Sequence, residues 1–306
     1  MQTTLAKSVA FSGVGLHSGA PVEMHVHPAP AGHGIVFRRT DVSGVNPRVP
    51  ALWSNVPSAT LCTLIENEDG VQVSTIEHLM AALVGSGIHN ALISLDGPEV
   101  PILDGSSAQF VAAFRAAGLR ELAAELRAIR ILKPVEVRNG QAVARIEPAA
   151  GLEIDFAIDF TDAAIGRQSK RLKMANGAFV RELMDSRTFC RLADVDAMRE
   201  KGLSLGGTFE NAVVVDGDKV LSPGGLRHAD EPVRHKMLDA LGDLALAGAP
   251  ILGRYRGNRA GHAMTNQLLR ALFERPDAWC WETCSPAQAY SLPGAGVCSA
   301  AALASA

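Results

Sequence analysis

The sequence is most informative at first for what it lacks. Neither charge sign dominates: 29 Lys and Arg stand against 32 Asp and Glu, a formal net charge of −3. That excludes a bulk basic nucleic-acid binder, though not a local basic patch. Cysteine is scarce. The five residues, Cys62, Cys190, Cys280, Cys284 and Cys298, form no CxxC pair and are odd in number. A disulfide framework is therefore not expected, and a reducing, intracellular setting is. Cys280 and Cys284 lie four apart, which does not by itself make a metal site. No run approaches 18 apolar residues, so no membrane-spanning helix is expected. The N-terminus has no long apolar stretch, so no secretory leader is expected either. HExxH and the dinucleotide fingerprint are absent, and the Gly-rich loop Gly202–Thr208 lacks phosphate-loop spacing.

What is present is enough apolar material for a sizeable core. Hydrophobic residues make up 47% of the 306 positions, which excludes a disordered chain. The length suits two domains of about 150 residues each. Strands are expected over 3–11, 22–27 and 34–39. In the second, Val22, Met24 and Val26 alternate with Glu23, His25 and His27, which places both histidines opposite the apolar face. A helix is expected over 75–84, opened by a Ser74/Glu77 capping box and ended by Gly85 and Gly87. A strand over 90–95 follows. Asp104-Gly105-Ser106-Ser107 then leads, with the serines as caps, into an amphipathic helix closed by Gly118. The charged, Ala- and Leu-rich stretch 120–130 reads as a helical linker or as the first element of a second half.

Beyond it, strands are expected over 131–137, 142–147 and 152–160, and helices over 175–184 and 193–201. A strand over 212–217, a long helix over 232–247, a strand over 250–255 and a helix over 263–274 complete the order. Both halves run strands, helix, strands, helix. The expectation is an α+β protein with an internal duplication at the level of the fold. It divides into domains over 1–125 and 126–290, with 291–306 as a fraying tail.

Three features could carry chemistry. His235 and Asp239 are one turn apart on the long helix, and Asp243 continues the stripe. An imidazole and a carboxylate so placed could share a divalent ion, or simply bond to each other on a solvated face. Glu77 and His78 are adjacent on the first helix and point about 100° apart. That lets one hold a metal while the other approaches a water, unless Glu77 serves as a helix cap. His262 opens the last helix and could act as a general acid or oxyanion clamp, oriented by a carboxylate such as Asp243.

Several separated motifs give these residues a sharper context. They are Gly13-Val14-Gly15-Leu16-His17-Ser18-Gly19, Ser74-Thr75-Ile76-Glu77-His78-Leu79 and Pro101-Ile102-Leu103-Asp104-Gly105-Ser106. Further on stand Ser186-Arg187-Thr188-Phe189, Leu205-Gly206-Gly207, His235-Lys236-Met237-Leu238-Asp239 and Gly261-His262-Ala263. In this order they resemble, nearly end to end, the zinc-dependent UDP-3-O-acyl-N-acetylglucosamine deacetylases of lipid A synthesis.

The resemblance implies two similar α+β domains packed face to face, each a layered sheet-and-helix sandwich with a small insert. One insert is expected near 40–60. The other, near 190–210, would shape an apolar passage for the acyl chain. The resemblance also implies one catalytic Zn2+ per chain on His78, His235 and Asp239. Glu77 would be general base, and His262 the protonated partner of the tetrahedral intermediate and leaving amine. Thr188 would assist the oxyanion, and Asp243 would stand behind His262. Lys236, Phe189, Arg259 and Gly207 fall at substrate-binding positions, with Arg259 toward the diphosphate. The implied partner is a small acylated UDP-sugar, with no nucleic acid and no integral membrane segment. A cytoplasmic monomer is expected. The chain departs from its relatives at Cys190-Arg191-Leu192, where they are more apolar, and at Asn139-Gly140-Gln141, where some carry Lys. The alternatives from other classes are a closed structural metal clip and a sugar-nucleotide binding protein without catalysis.

Overall fold

The structure, a computed structural model, describes residues 1–57 and 61–297. Two five-stranded sheets organise it. The first contains β1 (Val9–Val14), β2 (Pro21–Pro28), β3 (Ile35–Arg39), β4 (Arg48–Pro50) and β5 (Ala91–Leu95), in the order β1-β2-β5-β3-β4. The second contains β6 (Val135–Asn139), β7 (Ala142–Glu147), β8 (Glu153–Asp159), β9 (Arg167–Lys173) and β10 (Arg254–Asn258), in the order β6-β7-β10-β8-β9. The two orders are the same. In each, the central strand runs antiparallel to one neighbour and parallel to the other. The duplication expected from the element order is thus present in strand order and direction. Period-two patterning drives it: in β2, Val22, Met24 and Val26 are buried, while Glu23 and His25 are exposed. His25 and His27 stack in parallel on the outer face, as the alternation requires.

Four main helices cover the sheets: α1 (Glu77–Gly85), α2 (Ala108–Ala117), α3 (Glu231–Leu244) and α4 (His262–Phe273). α1 precedes β5, and α3 precedes β10; α2 and α4 follow those same strands. Pro232 sits in the first turn of α3, where its missing N–H costs nothing. α1 and α3 pack against each other with Gly242 of α3 seated on Glu77 and Ala81 of α1, inside one continuous buried core. The two halves therefore meet helix to helix. No helix among the described residues is long and apolar enough to cross a membrane.

Several local expectations are corrected. α1 has no Ser74 cap: the Ser74 hydroxyl donates to the Pro98 carbonyl, and Glu77 turns inward. Ser107 does not cap α2 with its side chain; it donates to the His78 carbonyl at 2.7 Å. Ser106 Oγ does accept from the Ala108 amide. The stretch 120–130 is not helical. It holds strands Leu119–Glu121 and Arg127–Ile131, paired with Thr3–Leu5 and with Trp279–Thr283 respectively. Distant partners supply ladders there that outweigh local Ala and Leu propensity.

Of the tail expected to fray, 291–297 is described, and Leu292 and Val297 are buried. Gly294 packs so closely on Gly87 that a β-carbon would meet the Gly87 amide nitrogen at 1.9 Å. Cys298 lies outside the described residues, as does part of the first insert, 58–60. The second insert is a parallel strand pair, Phe189–Arg191 with Val213–Asp216, and a helix, Leu192–Glu200.

Candidate active site

The crossing of α1 and α3 brings the candidate ligands together. α1 presents His78 and α3 presents His235 and Asp239, all buried, with one donor atom from each within 4.8 Å of the others. The i,i+4 spacing on α3 does what the sequence pattern requires. The third donor arrives only because the halves pack helix to helix.

The donor chemistry fits a divalent metal. His235 Nδ1 donates to the Ser186 carbonyl at 3.0 Å, which leaves the Nε2 lone pair facing the cluster. Burial holds the His235 pKa down at about 4, against the pull of Asp239, so its imidazole is neutral. Burial works against ionisation of Asp239. His235, Lys236 and His78 more than offset it and hold Asp239 well below the ordinary carboxylate range. The two carboxylate oxygens are used differently. Oδ2 accepts from Lys236 Nζ at 2.7 Å. Oδ1 is buried without a hydrogen-bond partner, although it lies 3.2 and 3.6 Å from Nε2 of His235 and His78. A buried, ionised oxygen that faces two imidazole nitrogens and lacks a hydrogen-bond partner is what a bound cation would satisfy.

Beside this set lie the proton-handling groups. Glu77 is buried, and its Oε2 accepts from the Thr63 amide at 3.0 Å. Burial raises its pKa, while His262 and His78 pull it back. His262 Nε2 is 3.8 Å from Glu77 Oε1, and its Nδ1 bonds Asp243 Oδ2 at 2.9 Å. Burial opposes the imidazolium. Asp243, with help from Glu77, outweighs it and pushes the His262 pKa up to about 9. The site thus holds one carboxylate and one imidazolium side by side, each poised for a proton transfer.

A cavity of about 850 Å³ opens from this cluster and is walled by the second insert. Glu77, His78, His235, Lys236, Asp239 and His262 line it, together with Thr188, Phe189 and Gly207. Phe189 sets its edge against both Phe160 and His235. Phe160, Val195, Met198, Leu203 and Val214 supply apolar surface on the insert side, with Cys190 among them and charged residues such as Arg191, Asp194 and Arg199 interspersed. Arg259 is placed elsewhere. It adopts φ +51°, ion-pairs with Asp159 and donates to Gln141, in a separate surface cleft. Asp243 lies behind His262 rather than on the cavity wall. Cys280 and Cys284 are on and just after the strand Trp279–Thr283, away from the cluster.

Two contributors carry no mark in the sequence pattern. Thr63 is a lone polar residue in a loop. The Ser186 carbonyl belongs to a motif, but a backbone acceptor has no residue-type signature. His17 falls within the Gly13–Gly19 motif and lines the cavity, with a buried Nδ1 that has no hydrogen-bond partner among the described residues.

A duplicated α+β fold with a buried two-histidine, one-aspartate set beside a carboxylate and an imidazolium defines a metal-dependent hydrolase. The chain belongs to the UDP-3-O-acyl N-acetylglycosamine deacetylase family, whose model matches residues 2–274. Among similar proteins is a UDP-3-O-acyl-N-acetylglucosamine deacetylase from Phenylobacterium zucineum. It is 51% identical over 278 residues, covering 91% of this chain and 95% of the relative. Proteins of the same name from Shewanella frigidimarina and Shewanella piezotolerans are 46% and 45% identical over 280 residues, covering 91% of each chain.

Proposed function

We propose that this protein removes the N-acetyl group of a UDP-3-O-acyl-N-acetylglucosamine. The products are acetate and the free 2-amino sugar nucleotide, and the step belongs to lipid A synthesis. The observation that carries this reading is the orphaned Oδ1 of Asp239 within a three-donor set next to Glu77 and His262. We assign the metal as one zinc ion per chain on His78, His235 and Asp239, which suits two imidazoles and one carboxylate. Zinc bound there supplies Lewis acidity, which lowers the pKa of water and polarises an amide carbonyl.

The chain's own residues do the rest. Glu77, ionised, takes the proton of the attacking water. The Thr188 hydroxyl donates to the oxyanion that develops on the acetamide carbonyl. His262, as imidazolium, stabilises that charge and donates its Nε2 proton to the departing amine, while Asp243 holds its other nitrogen. Lys236 fixes Asp239 and presents a cation to the substrate. Phe189 and Gly207 border the sugar, and the apolar insert wall takes the acyl chain. Arg259 would reach the diphosphate by releasing Asp159. The enzyme acts in the cytoplasm as a monomer of two domains, 1–125 and 126–290.

The competing reading is a structural metal clip. Such a site is closed by four protein ligands. The set here has three among the described residues and faces a large cavity. Acetate release from the acylated UDP-sugar decides. Activity is expected to vanish when a chelator strips the metal and to return with zinc. Undiminished acetate release by metal-free protein would overturn the proposal.

A further inference from the structure

Thr63 stands where the two proton-handling arms meet. It is 2% exposed and lies just before the short strand Ile65–Glu66, upstream of α1. Its Oγ1 donates to Asp243 Oδ1 at 2.6 Å. Its backbone N–H donates to Glu77 Oε2 at 3.0 Å. Asp243 spends its other oxygen on His262 Nδ1 at 2.9 Å. One residue of the first half therefore bonds the carboxylate that takes a proton and the carboxylate that aims the proton donor. The second of these lies on α3, in the other half.

The geometry points to Thr63 as a positioning residue for the reaction: its hydroxyl locks the Asp243 carboxylate, and through it the His262 ring, in register with Glu77. The physical case is one of inventory. A buried carboxylate has several acceptor sites and no donor, so each oxygen needs a fixed N–H or O–H to define its plane. His262 fixes Oδ2, and the Thr63 hydroxyl fixes Oδ1. Without that hydroxyl, Asp243 can rotate about its Cβ–Cγ bond and carry the imidazole with it. The 3.8 Å between His262 Nε2 and Glu77 Oε1 would then no longer be held. The amide bond to Glu77 belongs to the backbone and survives any side-chain change. The hydroxyl is thus the separable half of the device.

This inference rests on the deacetylase reading, so the wild-type enzyme is the internal control. Thr63→Val keeps the shape and removes the O–H, whereas Thr63→Ser keeps the O–H and removes the methyl. Zinc-loaded Thr63→Val is expected to lose roughly 10- to 100-fold in kcat, the range for a hydrogen bond to a charged group. KM and zinc content should stay within about threefold, since neither ligands nor cavity wall change. Thr63→Ser should stay within about threefold of wild type in kcat.

In an Asp243→Ala background, adding Thr63→Val should cost less than about threefold more, because the hydroxyl has lost its acceptor. A purely structural role gives the opposite order, with Val near wild type and Ser impaired, and that result would overturn the inference. So would an undiminished effect of Thr63→Val in the Asp243→Ala background. If wild-type enzyme releases no acetate, the deacetylase reading itself fails, and the Thr63 variants are not what decides it.

Discussion

Gly242 on α3 lies directly on the carbonyl of Glu77 on α1, so that a β-carbon there would come within 2.1 Å of that oxygen. The contact joins the two halves at the residue that begins the catalytic helix. It also explains why a glycine stands inside a helix, where it would otherwise cost about 1 kcal/mol relative to Ala.

Gly242→Ala is accordingly expected to push α1 and α3 apart. Overpacking of this kind costs about 1–3 kcal/mol. It also separates His78 from His235 and Asp239. Denaturant unfolding should show the loss of stability, and metal analysis should show weaker metal retention. A variant that folds, binds metal and turns over like wild type would contradict the helix-to-helix placement of the site.

Asp239 and Lys236 should separate in metal-binding assays. Asp239→Ala removes a donor and leaves the half-buried Lys236 ammonium without its 2.7 Å partner. Lys236→Met leaves the donor in place and removes only its support. Support residues of this kind typically cost about 10–100-fold in metal affinity. Asp239→Ala should exceed that range, and Lys236→Met should fall within it. Competition with a chromophoric chelator measures both. Equal effects would mean that Asp239 does not bind the ion directly.

The pH dependence of kcat/KM should be bell-shaped. Glu77 must be ionised, so activity rises as pH climbs through its raised pKa. His262 must be protonated, so activity falls as pH climbs through its own, which, against the effect of burial, Asp243 and Glu77 push up to about 9. A bound dication lowers both values and moves both limbs toward acid. Asp243→Asn removes the main cause of the upward shift of His262, so its basic limb should move to lower pH. Glu77→Gln should lose roughly 10²–10⁴-fold in turnover with metal retained. An alkaline limb that stays in place in Asp243→Asn would sink the His262 assignment.

Much of this was legible in the sequence, for local reasons. Period-two alternation in β2 and 3.6-residue spacing on α3 follow directly from side-chain direction, and His235 and Asp239 land on one face because they are four apart. The repeated element order pointed to a duplication, while the shared strand order emerged only from the structure. Local pattern failed where a distant partner decides. Ser74 and Glu77 have capping-box spacing, but Glu77 is claimed by the Thr63 amide from across a loop. Residues 120–130 read equally as a helical linker or as the first element of a second half, and it is strands at both ends of the chain that decide by pairing with them. Thr63 has neither periodicity nor motif, and its importance exists only once α3 carries Asp243 to it. Arg259 matched a family position, but its pairing with Asp159, 100 residues away, depends on the parallel pairing of β8 with β10 inside the second sheet.

The account stands most directly on where the metal binds. A crystal of the zinc-loaded protein, measured on both sides of the zinc absorption edge, should show one strong anomalous peak. It should lie about 2.0–2.2 Å from one nitrogen each of His78 and His235 and from Asp239 Oδ1, with Glu77 beside it but not coordinating. A peak at any other set of residues, or one closed by a fourth protein ligand, would contradict the account.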